Sequence, residues 1–321
     1  MAKPVGAEPA GVEPAGVEPA GVRPTGTGPE LLARSALFAS LALLVNAFVW
    51  GVSWWPFRQL QTAGLHPLWA TALVYGFCLI FILALHPRAW TAFGHTPGLW
   101  LLAIASGMTN LGFNWAVTTG DVVRVVLLFY LMPGWVVLLA WPLLGEKPRP
   151  AALMRLVLAL AGVLVVLKTP GTAWPIPQSL PDYLALLGGF SFALTNIMLR
   201  KLSDAPSASR MLGMFAGGTL FATAVAVWGS NAGWVTPLPA PSSAWVPLAG
   251  LLAVAFLLGN MALQYGASRL PATTTSLIML SEVLFASASA VWLGAGTLQA
   301  HVLLGGALIV AAALWAACSD K

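Results

Sequence analysis

"TTTSLIMLSEVLFASASAVWL", residues 273–293, is long enough to cross a membrane as a helix, yet it carries a carboxylate, Glu282, near its centre. No other Asp, Glu, Lys or Arg lies between Arg269 and Asp320. The rest of the chain shares this character: 8% of its 321 residues are charged and 59% are hydrophobic, with mean hydropathy +0.84. A soluble domain of this length cannot hide that much apolar surface, so lipid is its solvent. Apolar runs recur at about 36–57, 65–86, 98–118, 122–144, 151–169, 181–200, 210–229, 245–265, 271–293 and 299–317. Unpaired backbone groups are costly in lipid and the runs are too long and continuous for barrel strands, so each is expected to be a helix. The fold class expected is an all-α polytopic membrane protein with ten transmembrane helices.

Charge orients the chain. With a cytoplasmic N-terminus, Lys3, Arg23, Arg34, Arg88, Lys147, Arg149, Arg155, Arg200, Lys201, Arg210, Arg269 and Lys321 fall inside. Only Arg58, Arg124 and Lys168 fall outside. That bias obeys the positive-inside rule and puts both termini in the cytoplasm. It also assigns the net charge of +5 to topology rather than to nucleic acid.

Residues 1–33 differ from the rest. AGVEP recurs there among Pro and Gly without aromatics, which predicts a disordered cytoplasmic tail and no signal peptide. The remainder contains an internal repeat. Shifted by 150 residues, Asn110 falls on Asn260, Asn114 on Gln264, and Met132-Pro133 on Glu282-Val283. Nearer the start of each half, "WGVSWWPFRQL" (50–60) falls on "FALTNIMLRKL" (192–202). Residues 34–170 and 171–318 thus form two five-helix repeats. An odd number of spans makes the second enter the membrane inverted, and inverted-repeat transporters place their substrate site between the halves.

The five-plus-five layout, "VWGVSWW" (49–55), "YLMPGWVVLLAWPLLGEKP" (130–148) and "NMALQYGASRLPATTTSLIMLSEVLFA" (260–286) resemble the EamA-type drug/metabolite transporters. The resemblance covers about residues 36–317. In that family a Glu-Pro pair late in a repeat is followed by a Gly-Glu pair. Here the first half has Met132-Pro133 and keeps Gly145-Glu146, whereas the second has Glu282-Val283 and Ala295-Gly296. The resemblance also implies that Trp50, Trp54 and Tyr130 stand beside the substrate cavity; the alternative for the tryptophans is the interfacial belt.

The polar residues inside the spans are the candidate site. Glu282 is about 16 Å into its helix from Pro271, too deep to reach headgroups. It therefore faces a cavity or partner and is the proton-coupling candidate, with Gln264 and Asn114 as expected partners; the other reading is a neutral Glu bonding two helices. Arg124, three residues after Asp121, either grips a substrate carboxylate or snorkels. Asn110 and Asn114, like Asn260 and Gln264, sit at i, i+4 and either line a polar path or bond helices together. Asn196 joins this set. Pro56, Pro133 and Pro142 are hinge candidates, and Gly213 with Gly217 forms a small-residue packing face.

Cys78 and Cys318 have no CxxC spacing and the four histidines lie at span ends, so no metal or cofactor is indicated. No ATP-binding motif and no nucleophile–base cluster appears, which argues against a pump and against an enzyme. The function expected is a secondary transporter of the bacterial cytoplasmic (inner) membrane. It would export small polar or amphipathic metabolites such as amino acids by alternating access. The partners expected are a small-molecule substrate, membrane lipid and, if Glu282 exchanges them, protons, with no nucleic acid. A non-transporting receptor or assembly protein, or an intramembrane enzyme, is the alternative.

Overall fold

The computed structural model describes residues 2, 29–119, 125, 128–167, 177, 179–293 and 300–319. Among these residues all regular structure is helical and no strand occurs. In chain order the helices are α1 (Pro29–Thr62), α2 (Pro67–Leu85), a 3-10 helix η1 (Ala89–Gly94), α3 (Gly98–Thr119), α4 (Met132–Leu144) and α5 (Pro150–Leu167). They continue with α6 (Leu180–Lys201), α7 (Ser207–Asn231), α8 (Val246–Ala267), α9 (Ala272–Met279), α10 (Glu282–Trp292) and α11 (Ala300–Ser319). Five of them, α1 from Arg34 together with α2, α6, α7 and α8, are long and apolar enough to cross a membrane. Helix α1 begins at Pro29, inside the stretch read as tail; residues 3–28 lie outside the described residues.

Proline marks where helices start. It occupies the first turn of α2, α4, α6 and α8 and the cap position of α7 and α9. There its missing N–H forfeits no helical bond and its fixed φ suits entry. At α6 the Ser179 N–H also donates to the Asp182 carboxylate at 3.2 Å. Helix α4 ends on Gly145 at φ 73°, where the Gly145 N–H reaches Trp141 O and the Glu146 N–H reaches Ala140 O. This glycine-terminated cap needs the left-handed conformation that only glycine takes without strain.

The stretch 271–293, expected as one helix, is two. Leu280 and Ser281 keep right-handed dihedrals, but their N–H groups bond three residues back, to Leu277 O at 3.2 Å and Ile278 O at 3.0 Å. The Val283 N–H likewise reaches Leu280 O at 3.1 Å. The chain is wound as a 3-10 turn here, and the Ser281 hydroxyl donates to Ile278 O at 2.7 Å within it. An equivalent tightening precedes α4, where the Leu131 N–H bonds Leu128 O and the Gly134 N–H bonds Leu131 O. In that half Pro133 follows the turn, where the second half has Val283. Pro56, by contrast, lies inside the unbroken α1, and Pro142 lies near the end of α4.

The helices pack in a regular scheme: α3 lies on α6 and α7, α1 on α8 and α10, α2 on α7 and α8, α4 on α6, and α5 on α11. The crossings are close because glycine backbones meet there. A Cβ on Gly112 would stand 2.7 Å from Leu184 O, and one on Gly189 would stand 2.5 Å from Phe129 O. A Cβ on Gly162 would stand 2.8 Å from Gly305 O. The buried side chains between the helices are mainly Leu, Ala, Met and Phe, with Leu43, Leu99, Met132, Ile197 and Phe215 almost fully enclosed.

Candidate functional site

Glu282 opens α10 at the 3-10 turn. Its carbonyl faces Gly51 of α1, where a Cβ would lie 2.7 Å away. The missing side chain lets α1 come close and brings Trp50 to the same opening. A cavity there is lined by Trp50 of α1, Thr109, Asn110 and Phe113 of α3, Phe129 before α4, Phe192 of α6, and Glu282. Glu282 lies deep among the helices yet is only partly covered, as expected for a residue on a cavity wall.

The buried Tyr130 hydroxyl hydrogen-bonds the Glu282 carboxyl, joining the two turns at which the helices are broken. This partner replaces the expected Gln264 and Asn114. Asn110 accepts from the Tyr75 hydroxyl at 2.8 Å and donates to Ser106 O at 2.8 Å. The Thr109 hydroxyl donates to Ala105 O at 2.8 Å. Aromatic rings complete the wall and brace one another. Trp50 stacks on Phe256 at 4.7 Å, Phe113 meets Phe129 at 4.7 Å, and Phe129 stacks on Phe192 at 5.8 Å.

The other candidate residues stand elsewhere. Trp54 donates through Nε1 to the Ser289 hydroxyl at 2.9 Å, tying α1 to α10. Asn114 donates to Thr71 Oγ1 at 2.6 Å, so it bridges α3 to α2 rather than lining the cavity. Gln264 and Asn260 bond each other at 2.8 Å, and Asn260 also contacts Met214 Sδ at 3.3 Å. With its amide turned, Gln264 accepts from the Met211 N–H at 3.0 Å and donates to Ser207 O at 3.3 Å. Asn196 contacts Met132 Sδ at 3.8 Å, and its buried Oδ1 has no partner among the described residues. Asn46, which sequence reasoning passed over, repeats this arrangement against Met279 Sδ at 3.4 Å, also with an unpartnered Oδ1. Arg124 and Asp121 lie outside the described residues.

A cavity thus lies at the crossing of α1, α3, α6 and α10, with one carboxylate among aromatic rings. Residues 37–168 match the model of the EamA-like transporter family. This stretch, less than half of the chain, is similar to that family. The EamA-like stretch contributes six of the eight residues named on the cavity wall or bonded to it: Trp50, Thr109, Asn110, Phe113, Phe129 and Tyr130.

Among curated proteins the chain is similar to Protein RarD of Escherichia coli (strain K12), 27% identical over 170 residues. It is also similar to Protein RarD of Salmonella typhi, 28% identical over 170 residues. Each match covers 51% of this chain and 55% of the relative, so the chain spans about half the length of the curated relatives it matches. A solved crystal structure superposes with a TM-score of 0.69 over 88% of this chain and 97% of that one. At 18% identity the likeness is one of fold.

Proposed function

We propose that the protein is a secondary transporter of the bacterial cytoplasmic membrane. It exports small polar or amphipathic metabolites, with amino acids among the candidates, by alternating access between two inverted five-helix repeats. The observation that carries this reading is the cavity itself. Its wall comes from both halves of the sequence, and it opens where both halves break a helix at positions 150 residues apart, Tyr130-Leu131 and Leu280-Ser281. Breaks of this kind free a helix to bend, and a site between halves can be exposed to either side by rocking one against the other.

The packing scheme supports the repeat. Exchanging α1 with α6, α2 with α7, α3 with α8, α4 with α10 and α5 with α11 maps the principal contacts of these helices onto one another. The α3–α6 contact becomes α8–α1, α3–α7 becomes α8–α2, and α4–α6 becomes α10–α1, all of which occur. The contacts α2–α7 and α5–α11 map onto themselves.

Topology is open to a direct check. Reporter domains fused after Leu202 should read cytoplasmic, and fusions at Asn231 should read external. The reverse pattern removes the inverted-repeat reading. Transport itself is tested by counterflow: vesicles reconstituted with the full chain and preloaded with one unlabelled solute should draw in its labelled form from dilute solution. Protein-free vesicles should not. Absence of counterflow across a panel of amino acids, amines and neutral metabolites would overturn the carrier assignment.

A further inference from the structure

The carboxylate of Glu146, just after the glycine cap of α4, meets a guanidinium from the other half of the chain. Arg200 lies in the last turn of α6. Its Nε stands 3.8 Å from Glu146 Oε1, and its Nη1 donates to Ser268 O at 2.9 Å. Ser268 caps the C-terminus of α8, where unpaired carbonyls concentrate partial negative charge. One side chain thus ties the ends of α4, α6 and α8 together, across the two proposed repeats. The tie lies at the end of the bundle that the basic residues mark as cytoplasmic. Arg200 is eight residues beyond Phe192 of the cavity wall, about 12 Å along α6. The space between is filled. Met132, Val136, Ile197, Leu199 and Met279, from α4, α6 and α9, belong to one core cluster and are almost wholly enclosed. Packed side chains therefore separate the cavity from this end.

The repeat supplies the comparison. Arg200 falls on Arg58 and Glu146 on Gly296, so the opposite end keeps the cation and has no side chain in place of the carboxylate. Arg58 is exposed, and Asp182, the described acid at that end, is buried as the cap of α6. We propose that Glu146 and Arg200 form a latch that holds the carrier closed to the cytoplasm, and that the missing carboxylate leaves the opposite face unlatched. This rests on the carrier reading above and adds which face its resting form closes. Opening toward the cytoplasm parts α4 from α6 and breaks the ion pair; opening the other way leaves it intact. Glu146 and Arg200 are 30% and 34% exposed, so their attraction alone is modest. The charged donor on the Ser268 carbonyl adds to it and gives Arg200 the larger share.

The test reads how fast a cysteine behind the latch is labelled. Val136→Cys, in a full-length chain carrying Cys78→Ser and Cys318→Ser, is exposed to a membrane-impermeant maleimide on the cytoplasmic side of vesicles. Labelling of this latched parent should be slow. Glu146→Gln should speed it about threefold and Arg200→Gln about tenfold, because the arginine also gives up the Ser268 carbonyl. Glu146→Arg and Arg200→Glu should each label fast, and the two combined should label more slowly than either. Raising salt to about 1 M should speed labelling of the parent and not of Arg200→Gln, a difference that a general loosening of the fold would not produce. Arg58→Gln, at the other end, should stay within about twofold of the parent. If Arg200→Gln yields no folded protein, Glu146→Gln and the salt series carry the comparison. The latch is overturned if the parent labels fast, if the single variants label no faster than the parent, or if the combined reversal is as fast as each reversal alone. Counterflow separates this failure from that of the carrier reading. Solute movement with labelling that ignores both residues leaves a carrier closed by packing alone, whereas no movement of any solute removes the carrier as well.

Discussion

In vesicles holding a pH difference, Glu282→Gln is expected to abolish concentrative transport while sparing exchange at equal pH and saturating solute. The two side chains have nearly the same size, and the glutamine carbonyl can still accept from the Tyr130 hydroxyl that meets Glu282 now. The cavity and the joint between the two helix breaks should therefore persist. What glutamine cannot do is gain and lose a proton. A difference of one pH unit is worth about 1.4 kcal/mol, enough to hold about a tenfold solute ratio in one-for-one exchange. In the variant that ratio should fall to one. A neutral glutamate that served only as helix glue would be replaceable by glutamine without this loss, because glue needs the hydrogen bond and not the proton. If the variant still accumulates solute against its gradient using a pH difference, Glu282 is a structural partner of Tyr130 and the proton role is wrong. Tyr130→Phe is the complement: it removes the hydrogen bond and leaves the titrating group in place. It should loosen the joint yet leave some pH-driven accumulation.

The helix positions could be read from sequence because two independent signals coincide along this chain. Apolar runs set the lengths, and prolines punctuate the starts. The runs read at 98–118, 181–200 and 245–265 correspond to Gly98–Thr119, Leu180–Lys201 and Val246–Ala267. The break before Glu282 had no such signal. Val283 is no helix breaker, and a 3-10 turn changes only which carbonyl each N–H chooses, which composition does not record. On the cavity, Trp50, Asn110 and Glu282 stood out in sequence as large or polar groups deep in apolar spans. Phe113, Phe129 and Phe192 did not, since phenylalanine inside a lipid-soluble chain is as ordinary on a lipid face as on a cavity wall. The amides show the opposite limit. An i, i+4 pair can turn inward or satisfy itself, and only the partner helix decides which. Asn260 and Gln264 bond each other, whereas Asn110 and Asn114 part company toward Tyr75 and Thr71.

The other large effect is expected at Gly217, far from any charge. This residue of α7 lies against Ala103 of α3 so closely that an added Cβ would run into the Ala103 carbonyl oxygen. The contact is reciprocal, because a Cβ on Gly107 of α3 would stand 2.7 Å from Gly217 O. Ser106 adds a hydrogen bond across the same crossing, to Met214 O at 3.3 Å. Both obstacles are backbone, which cannot swing aside as a side-chain tip can, so even Gly217→Ala must push two helices apart. Helices in lipid gain their association from such close packing rather than from escape from water, so separation forfeits the main attraction at this point. Overpacking of this kind costs about 1–3 kcal/mol, a large share of a marginal stability. The same displacement would move Thr109, Asn110 and Phe113, which ride on α3, away from Glu282. Gly217→Ala should therefore lower both the midpoint of unfolding in a sodium dodecyl sulfate titration and the transport rate of whatever protein remains folded. Gly250→Ala supplies the control. It lies in α8 with no atom within 4 Å of an added Cβ, so it should match the parent or exceed it slightly through better helix propensity. Equal midpoints for Gly217→Ala and the parent would mean that α3 and α7 can part without cost. The position of the cavity's polar edge would then have to be held by the Gly112–Gly188 crossing with α6 and by the bonds of Asn110 and Asn114 to Tyr75 and Thr71 of α2.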